Sequence, residues 1–380
     1  MDGIKFGTSG WRGIVGRDFN FDGVRAATQA IAELMRAGAR PAPTRSQEVV
    51  VGHDPRFLSP EFAAAAAEIL AGNGLRVRLS RRDVPTPAVA FEIIRRKAAG
   101  GINFTASHNP PEWNGLKFSP ATGGPAMPEQ TKPIEARAAE ILGGQEAAPT
   151  RTGEIKRIPL EQALKEKRVA WFDARPAFLR RLASLVDLSA LRRARLTVVV
   201  DALHGAGRGY TDELLRKGGC RVTALHQERH VLFGGMAPDP SPASCRALIK
   251  EVKRQKAHLG LATDGDADRF GVFDRDGTFL WPNQVLALLL EHLIVTRKWR
   301  GVVARSVVTT SLLDAIAASH GLEVRETPVG FKYIAEVMAK ERMSIGGEEA
   351  GGLTILGHVP EKDGVLACAL VAEMAAVRRK

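Results

Sequence analysis

The sequence predicts an α/β protein built as three tandem α/β domains, with mixed, largely parallel sheets and helices packed on them. Three observations predict this. Segments Val49–Leu79, Leu196–Leu225 and Gly301–Pro328 repeat one pattern: a β-branched apolar run, a polar loop, a helix-patterned stretch, and a closing Gly-x-Arg/Glu-Val. Each is a βαβ unit, because apolar alternation and apolar spacing at three and four residues succeed one another within about 30 residues. Polar, Gly- and Pro-containing stretches, "LGGQEAAPTRTGEI" at Leu142–Ile155 and "KEVKRQKAHLG" at Lys250–Gly260, separate the units. The expected domains are therefore 1–150, 151–256 and 257–380.

Taken in order, each unit implies a right-handed crossover between parallel strands, so the loops following the strands gather on one edge, where ligands bind in such sheets. The last stretch, "DGVLACALVAEMAAVRRK", has apolar residues at helical spacing and a basic final turn that suits the carbonyl end of a helix. With 380 residues and 44% hydrophobic content, the chain has ample material for three cores.

Composition narrows the class of function. The start, "MDGIKFGTSGWRGIVG", lacks an apolar run behind a basic segment, and no run of about 18 apolar residues follows, so a cytoplasmic protein without a membrane partner is expected. Three widely spaced cysteines, Cys220, Cys245 and Cys368, fit neither a disulfide framework nor a zinc knuckle. The formal charge of +12 attracts anions. Aromatic residues are only 6% and are not interleaved with basic ones, which argues against nucleic acid and for a small phosphorylated partner.

Two loops carry chemistry. "DGDADRFG" places Asp264, Asp266 and Asp268 at alternating positions; carboxylates this close repel unless a cation lies among them, and an all-oxygen set suits a hard ion such as Mg²⁺. An EF-hand is excluded, since Arg269 stands where the sharp turn needs Gly and Arg275 where the bidentate Glu belongs. A solvated Asp/Gly turn is the bland alternative, but Arg269 beside three carboxylates is suited to phosphoryl oxygens. In "TASHNPPEWNGLKF", Pro110 and Pro111 hold Ser107, His108 and Asn109 on a rigid loop. Ser107 is a nucleophile candidate if metal and cations stabilise a phosphoryl group there, and Lys117 is an acid/base candidate or else an ordinary surface lysine. A hydrolase triad is disfavoured because Gly-x-Ser-x-Gly is absent around Ser107. Gly205, Gly207 and Gly209 do not follow the dinucleotide spacing and read as a turn.

Four stretches in order, "FGTSGWRG" at Phe6–Gly13, "TASHNPPEWNGLKF", "DGDADRFG" and "GGEEAGG" at Gly346–Gly352, resemble the signature loops of the α-D-phosphohexomutase superfamily, in particular its bacterial phosphoglucomutase/phosphomannomutase branch. The resemblance covers essentially the whole chain. It implies a phosphoserine enzyme: Ser107 carries the phosphoryl group, and Asp264, Asp266 and Asp268 hold Mg²⁺ against it, with Ser107 completing the ligand set. Lys117 serves as acid/base, Arg12 and Arg269 contact the phosphoryl group, His108 supports the reactive loop, and Glu348 accepts hydrogen bonds from sugar hydroxyls. "ETPVGFKYI" resembles a further substrate-facing loop containing Gly330 and Lys332. A hexose 1- or 6-phosphate would be the substrate, glucose 1,6-bisphosphate the activator, and a monomer or weak homo-oligomer the form.

Two departures stand out. Ala350 replaces the Ser usual in the sugar-binding loop, and nothing after Lys362–Gly364 resembles the family's fourth, phosphate-gripping domain, so that domain is expected to be absent. A truncated gene product, a shortened chain and half of a split enzyme all remain open from the sequence. A noncatalytic sugar-phosphate binder is the rival reading, against which the retained nucleophile speaks.

Overall fold

In the computed structural model, residues 3–37, 47–146 and 154–378 are described. They divide into two compact units. The first comprises residues up to Val84 with Ala88–Ala106 and Pro111–Ala174; the second comprises Pro85–Pro87, Ser107–Pro110 and the chain from Arg175 onward.

The first unit holds a six-stranded sheet made of β1 (Trp11–Ile14), β2 (Glu48–His53), β3 (Arg76–Ser80), β4 (Gly100–Phe104), β5 (Trp113–Pro120) and β6 (Val169–Phe172), in the spatial order β1-β5-β4-β2-β3-β6. Strands β4, β2, β3 and β6 run parallel, whereas β5 lies antiparallel between β1 and β4. Valines 49, 50 and 51 are fully buried, as a parallel strand covered on both faces requires. Helices α1 (Phe21–Arg36), α2 (Ser59–Gly72), α3 (Thr86–Arg96), α4 (Pro128–Glu146) and α5 (Leu160–Lys165) complete this part of the chain. Asn20 starts α1 by accepting the Gly23 amide at 2.9 Å. The alanine-rich α2 packs its smooth face on β2 and β3. A ladder of rings, Trp11–Phe19 at 4.4 Å, Phe19–Phe62 at 5.0 Å and Phe62–Phe104 at 6.2 Å between centroids, forms the heart of the core.

The second unit contains two sheets. One takes β7 (Thr197–Asp201), β8 (Arg221–Leu225), β9 (Leu259–Thr263), β10 (Phe270–Asp274) and β11 (Phe279–Leu280), ordered β11-β10-β9-β7-β8. It is accompanied by α6 (Arg175–Leu185), α7 (Leu188–Ala194), α8 (Thr211–Lys217) and α9 (Arg246–Gln255). The other takes β12 (Val302–Ser306), β13 (Val324–Thr327), β14 (Met343–Glu348) and β15 (Gly352–Ile355), ordered β13-β12-β14-β15, with α10 (Pro282–Arg297), α11 (Leu312–Ser319) and α12 (Phe331–Lys340). The final helix, α13 (Gly364–Arg378), packs on β9, β10 and β15 and so touches both sheets. Its burial is nearly complete, and its single buried acid, Glu373, is held by His292 at 2.9 Å and Arg297 at 2.9 Å.

All three βαβ units expected from the repeats are present as β2-α2-β3, β7-α8-β8 and β12-α11-β13, and each strand pair is parallel. The domain divisions differ. The break expected between 256 and 257 cuts the second sheet, because β9, β10 and β11 hydrogen-bond into it beside β7. The first half of the polar run that suggested a linker, Lys250–Gln255, belongs to α9, which buries Leu248 and Val252 and turns its charged residues to solvent, and the run ends in β9. Strand β6, although beyond residue 151, closes the edge of the first sheet. The break at 150/151 lies outside the described residues.

Candidate active site

Strand β9 delivers the chain to an acidic turn between Asp264 and Arg269, and β10 carries it away. Ala267 takes the left-handed conformation at φ 56°, and the Ala267 amide donates to the Asp264 carbonyl at 3.1 Å, so the turn closes on itself. Asp264, Asp266 and Asp268 are fully buried, and one carboxylate oxygen from each lies within 4.8 Å of the others. Burial, then the charges of Asp266 and Asp268, push the Asp264 carboxyl well above the usual carboxylate range. Three acids so enclosed form a donor set suited to a hard divalent cation, whose charge would offset this repulsion.

Each carboxylate is also met by a side chain from outside the turn. Ser107 Oγ donates to Asp264 Oδ2 at 2.7 Å, Thr86 Oγ1 donates to Asp266 Oδ2 at 2.5 Å, and Lys362 Nζ lies 3.2 Å from Asp268 Oδ2. The Arg269 amide donates to Asp264 Oδ1 at 3.0 Å. Arg269 Nε is buried without a hydrogen-bond partner among the described residues, so this donor is left over by the protein's own bonding.

Ser107 is itself fully buried and sits at φ 54°, a costly backbone conformation for a residue other than Gly. The segment Ser107–Pro110 belongs to the second unit, and this places the hydroxyl against the acidic turn. Gly265 faces the Ser107 carbonyl so closely that a Cβ there would collide with it. His108 Nδ1 is 3.4 Å from Ser107 Oγ, so the histidine adjacent in sequence does approach the hydroxyl.

The far side of the turn rests on α13. The Gly364 amide donates to the Ala267 carbonyl at 3.0 Å, and a Cβ at Gly364 would strike the Arg269 and Ala267 carbonyls. Residues 362 to 364 thus place a cation on Asp268, a helix cap at Asp363, which accepts the Leu366 amide at 2.8 Å, and a bare backbone against the turn. The glycine stretch at 205–209 is the turn that was expected: Ala206 donates to the Gly265 carbonyl at 2.9 Å, bracing the acidic turn from behind.

Glu348 ends β14, where it accepts the Gly330 amide at 3.0 Å; Gly330, at φ 125°, precedes α12. Burial raises the Glu348 carboxyl, opposed by the charge of Lys362. Lys332 lies with its ammonium 5.4 Å from the Tyr333 ring centre, and Lys362 lies 6.0 Å from the ring of Phe331.

Arg12 and Lys117 belong to the first unit. Arg12 on β1 stands opposite Gly115 of β5, and Lys117 on β5 opposite Asn103 of β4; the lysine is buried, which is unusual for this residue type. The second unit therefore brings together Ser107, His108, Arg269 and the three aspartates, and separately pairs Glu348 with Gly330. Thr86 and Lys362 were missed by sequence reasoning. The only local signals were a threonine between prolines in "VPTPAV" and a charged cluster, "EKDG", before an apolar helix.

Three family models cover most of the chain: phosphoglucomutase/phosphomannomutase alpha/beta/alpha domain I matches residues 3–143, domain II residues 176–277 and domain III residues 281–380. The chain belongs to the phosphoglucomutase/phosphomannomutase family. The second family domain, residues 176–277, takes in β7 to β10 of the second sheet, and the edge strand β11 at Phe279–Leu280 follows directly after it. Among curated members of the family, the chain is 30% identical to a phosphoglucomutase of Komagataeibacter xylinus, over 98% of this chain and 70% of the relative. It is also 30% identical to a phosphoglucomutase/phosphomannomutase of Thermococcus kodakarensis, over 98% and 77%. A crystal structure from Thermus thermophilus, assigned as a phosphomannomutase, superimposes with a TM-score of 0.87 at 37% identity, covering 99% of this chain and 81% of that one. Among the described residues, no helix is long and apolar enough to cross a membrane.

Proposed function

We propose that this family member is a phosphohexose mutase interconverting hexose 1-phosphate and hexose 6-phosphate, of glucose, mannose or both, through a phosphorylated Ser107. The observation that carries the reading is the 2.7 Å hydrogen bond from Ser107 Oγ to Asp264, within a buried three-carboxylate cluster. A nucleophile set against a metal-type donor set fits phosphoryl transfer and serves no purpose in a pure binding protein.

In this reading Asp264, Asp266 and Asp268, together with Ser107, would hold Mg²⁺, and the ion would supply neutralising charge to the phosphoryl oxygens. Arg269 and Arg12 bind the remaining phosphoryl oxygens, and His108 steadies the Ser107 loop. Glu348 accepts sugar hydroxyls, with Gly330 and Lys332 on the same substrate-facing side. A sugar hydroxyl attacks the phosphorus of phosphoserine, Lys117 takes its proton, and the P–O bond to Ser107 breaks with its electron pair passing to Ser107 Oγ. The bisphosphorylated sugar then turns over. Its other phosphoryl passes to Ser107 Oγ, and Lys117 returns a proton to the departing sugar oxygen. A serine phosphate monoester is stable in water, so the group is stored until the transfer geometry assembles.

A cytoplasmic enzyme, monomeric or weakly associated, activated by glucose 1,6-bisphosphate and free of nucleic-acid and membrane partners, completes the proposal. The test is conversion of glucose 1-phosphate to glucose 6-phosphate in the presence of Mg²⁺ and the bisphosphate. Turnover that disappears in Ser107→Ala supports it; turnover that persists in that variant overturns it.

A further inference from the structure

Thr86 opens α3, where a threonine hydroxyl ordinarily bonds within its own helix or turn. Here the hydroxyl donates to Asp266 Oδ2 at 2.5 Å, 180 positions away, and the Thr86 amide donates to the Asp266 carbonyl at 2.9 Å. Both groups of one residue thus grip both ends of one aspartate, and Thr86 is 4% exposed. Pro85 and Pro87 flank it and restrict its backbone.

We propose that Thr86 is a positioning residue that sets the divalent-cation affinity of the acidic turn. The inference rests on the metal reading of Asp264, Asp266 and Asp268 given above. A carboxylate on a short turn must otherwise be fixed when the ion arrives, and it is pressed away from its two neighbours by like charge. A hydroxyl donating to one of its oxygens holds the rotamer in advance and partly offsets that repulsion while leaving the formal charge in place. Asp264 and Asp268 have comparable partners in Ser107 and Lys362, but each of those also enters the proposed chemistry or carries charge. Thr86 does neither, so its effect is confined to orientation. Loss of such a partner behind a metal ligand typically weakens metal binding 10- to 100-fold.

The test is isothermal titration of the full chain, dephosphorylated and stripped with chelator, with MgCl2 and separately MnCl2. Thr86→Val, which keeps the branched shape and removes the hydroxyl, is expected to raise Kd by about 10- to 100-fold. Thr86→Ser, which restores the hydroxyl, should stay within about threefold of wild type on the same reasoning. Adding Thr86→Val to Asp266→Asn should weaken binding little beyond Asp266→Asn alone, because the partner is already altered. Wild-type affinity in Thr86→Val, or equal loss in Val and Ser variants, would overturn the proposal while leaving the metal site intact. Absence of saturable binding in the wild type would overturn the metal reading and this inference with it. Should Thr86→Val fail to fold, Thr86→Ala against Thr86→Ser carries the same comparison: weak binding in Ala with recovery in Ser supports it, and equal binding in both overturns it.

Discussion

Replacing Lys362 by Met should destabilise the metal-free second unit more than the magnesium-loaded one. Lys362 Nζ lies 3.2 Å from Asp268 Oδ2, with the two side chains 8% and 0% exposed. At that separation, with an effective dielectric near 20, the attraction is about 5 kcal/mol, and desolvation of both groups cancels much of it. Deleting the cation does not recover that desolvation, because Asp268 stays buried beside Asp264 and Asp266. Breaking a buried pair from one side costs about 3 to 5 kcal/mol, and that is the expected loss without metal. Magnesium well above its Kd stabilises both folded proteins, so the gap to wild type narrows only by the factor by which the freed carboxylate tightens binding in the variant, about 1.4 kcal/mol for a tenfold tighter Kd. The assay is urea unfolding of both proteins, in chelator and in saturating MgCl2. A metal-free loss under about 1 kcal/mol, or the same loss with and without magnesium, would refute the idea that Lys362 and the cation compensate the same cluster of charge.

Two further outcomes follow from the site and from the sheet beside it. Asp266→Asn, which removes one formal charge at nearly constant size, should weaken Mg²⁺ binding and slow phosphoryl transfer while the far-ultraviolet spectrum is unchanged; unaltered magnesium dependence of turnover would return the acidic turn to a structural role. At His226, the hydrogen bond to Asp201 at 2.8 Å raises the imidazole above its ordinary value, aided by the Asp201 and Glu228 charges and opposed by burial, with His204 and His230 nearby. A raised histidine stabilises the fold fully below about pH 6.5, and this contribution fades as pH rises through its folded value. His204, lowered chiefly by burial and in smaller part by the charge of His226, works in the opposite sense, and the substitution relieves only that smaller part. His226→Gln should therefore lose more stability near pH 6 than near pH 9 relative to wild type; an equal loss at both would show that protonation of His226 is not involved.

The architecture was legible because each βαβ unit writes its strand, turn and helix in one contiguous stretch. The reactive and acidic loops were legible for the same reason: Ser107 stands beside His108 and its prolines, and the three aspartates lie within five residues. Thr86 and Lys362 were not legible, since each acquires its meaning from an aspartate far away in sequence, and neither neighbourhood is unusual by composition. Gly364 illustrates the same limit: it reads as a weak helix start, whereas its missing Cβ is what lets α13 lie on the Ala267 and Arg269 carbonyls. The second domain boundary was misplaced because the charged face of an amphipathic helix and a polar linker have similar composition, and only the burial of Leu248 and Val252 separates them. Lys117 is open in the sequence between a surface lysine and an acid/base, and its burial on β5 is a feature that no local pattern announces.

The phosphoserine is the centre of the account, and it can be observed directly. Incubating the 380-residue chain with glucose 1,6-bisphosphate and Mg²⁺, followed by peptide mass spectrometry, should reveal one phosphoryl group, on Ser107, and none in Ser107→Ala. Phosphoryl on His108 or elsewhere, with Ser107→Ala labelled as well as wild type, would contradict it.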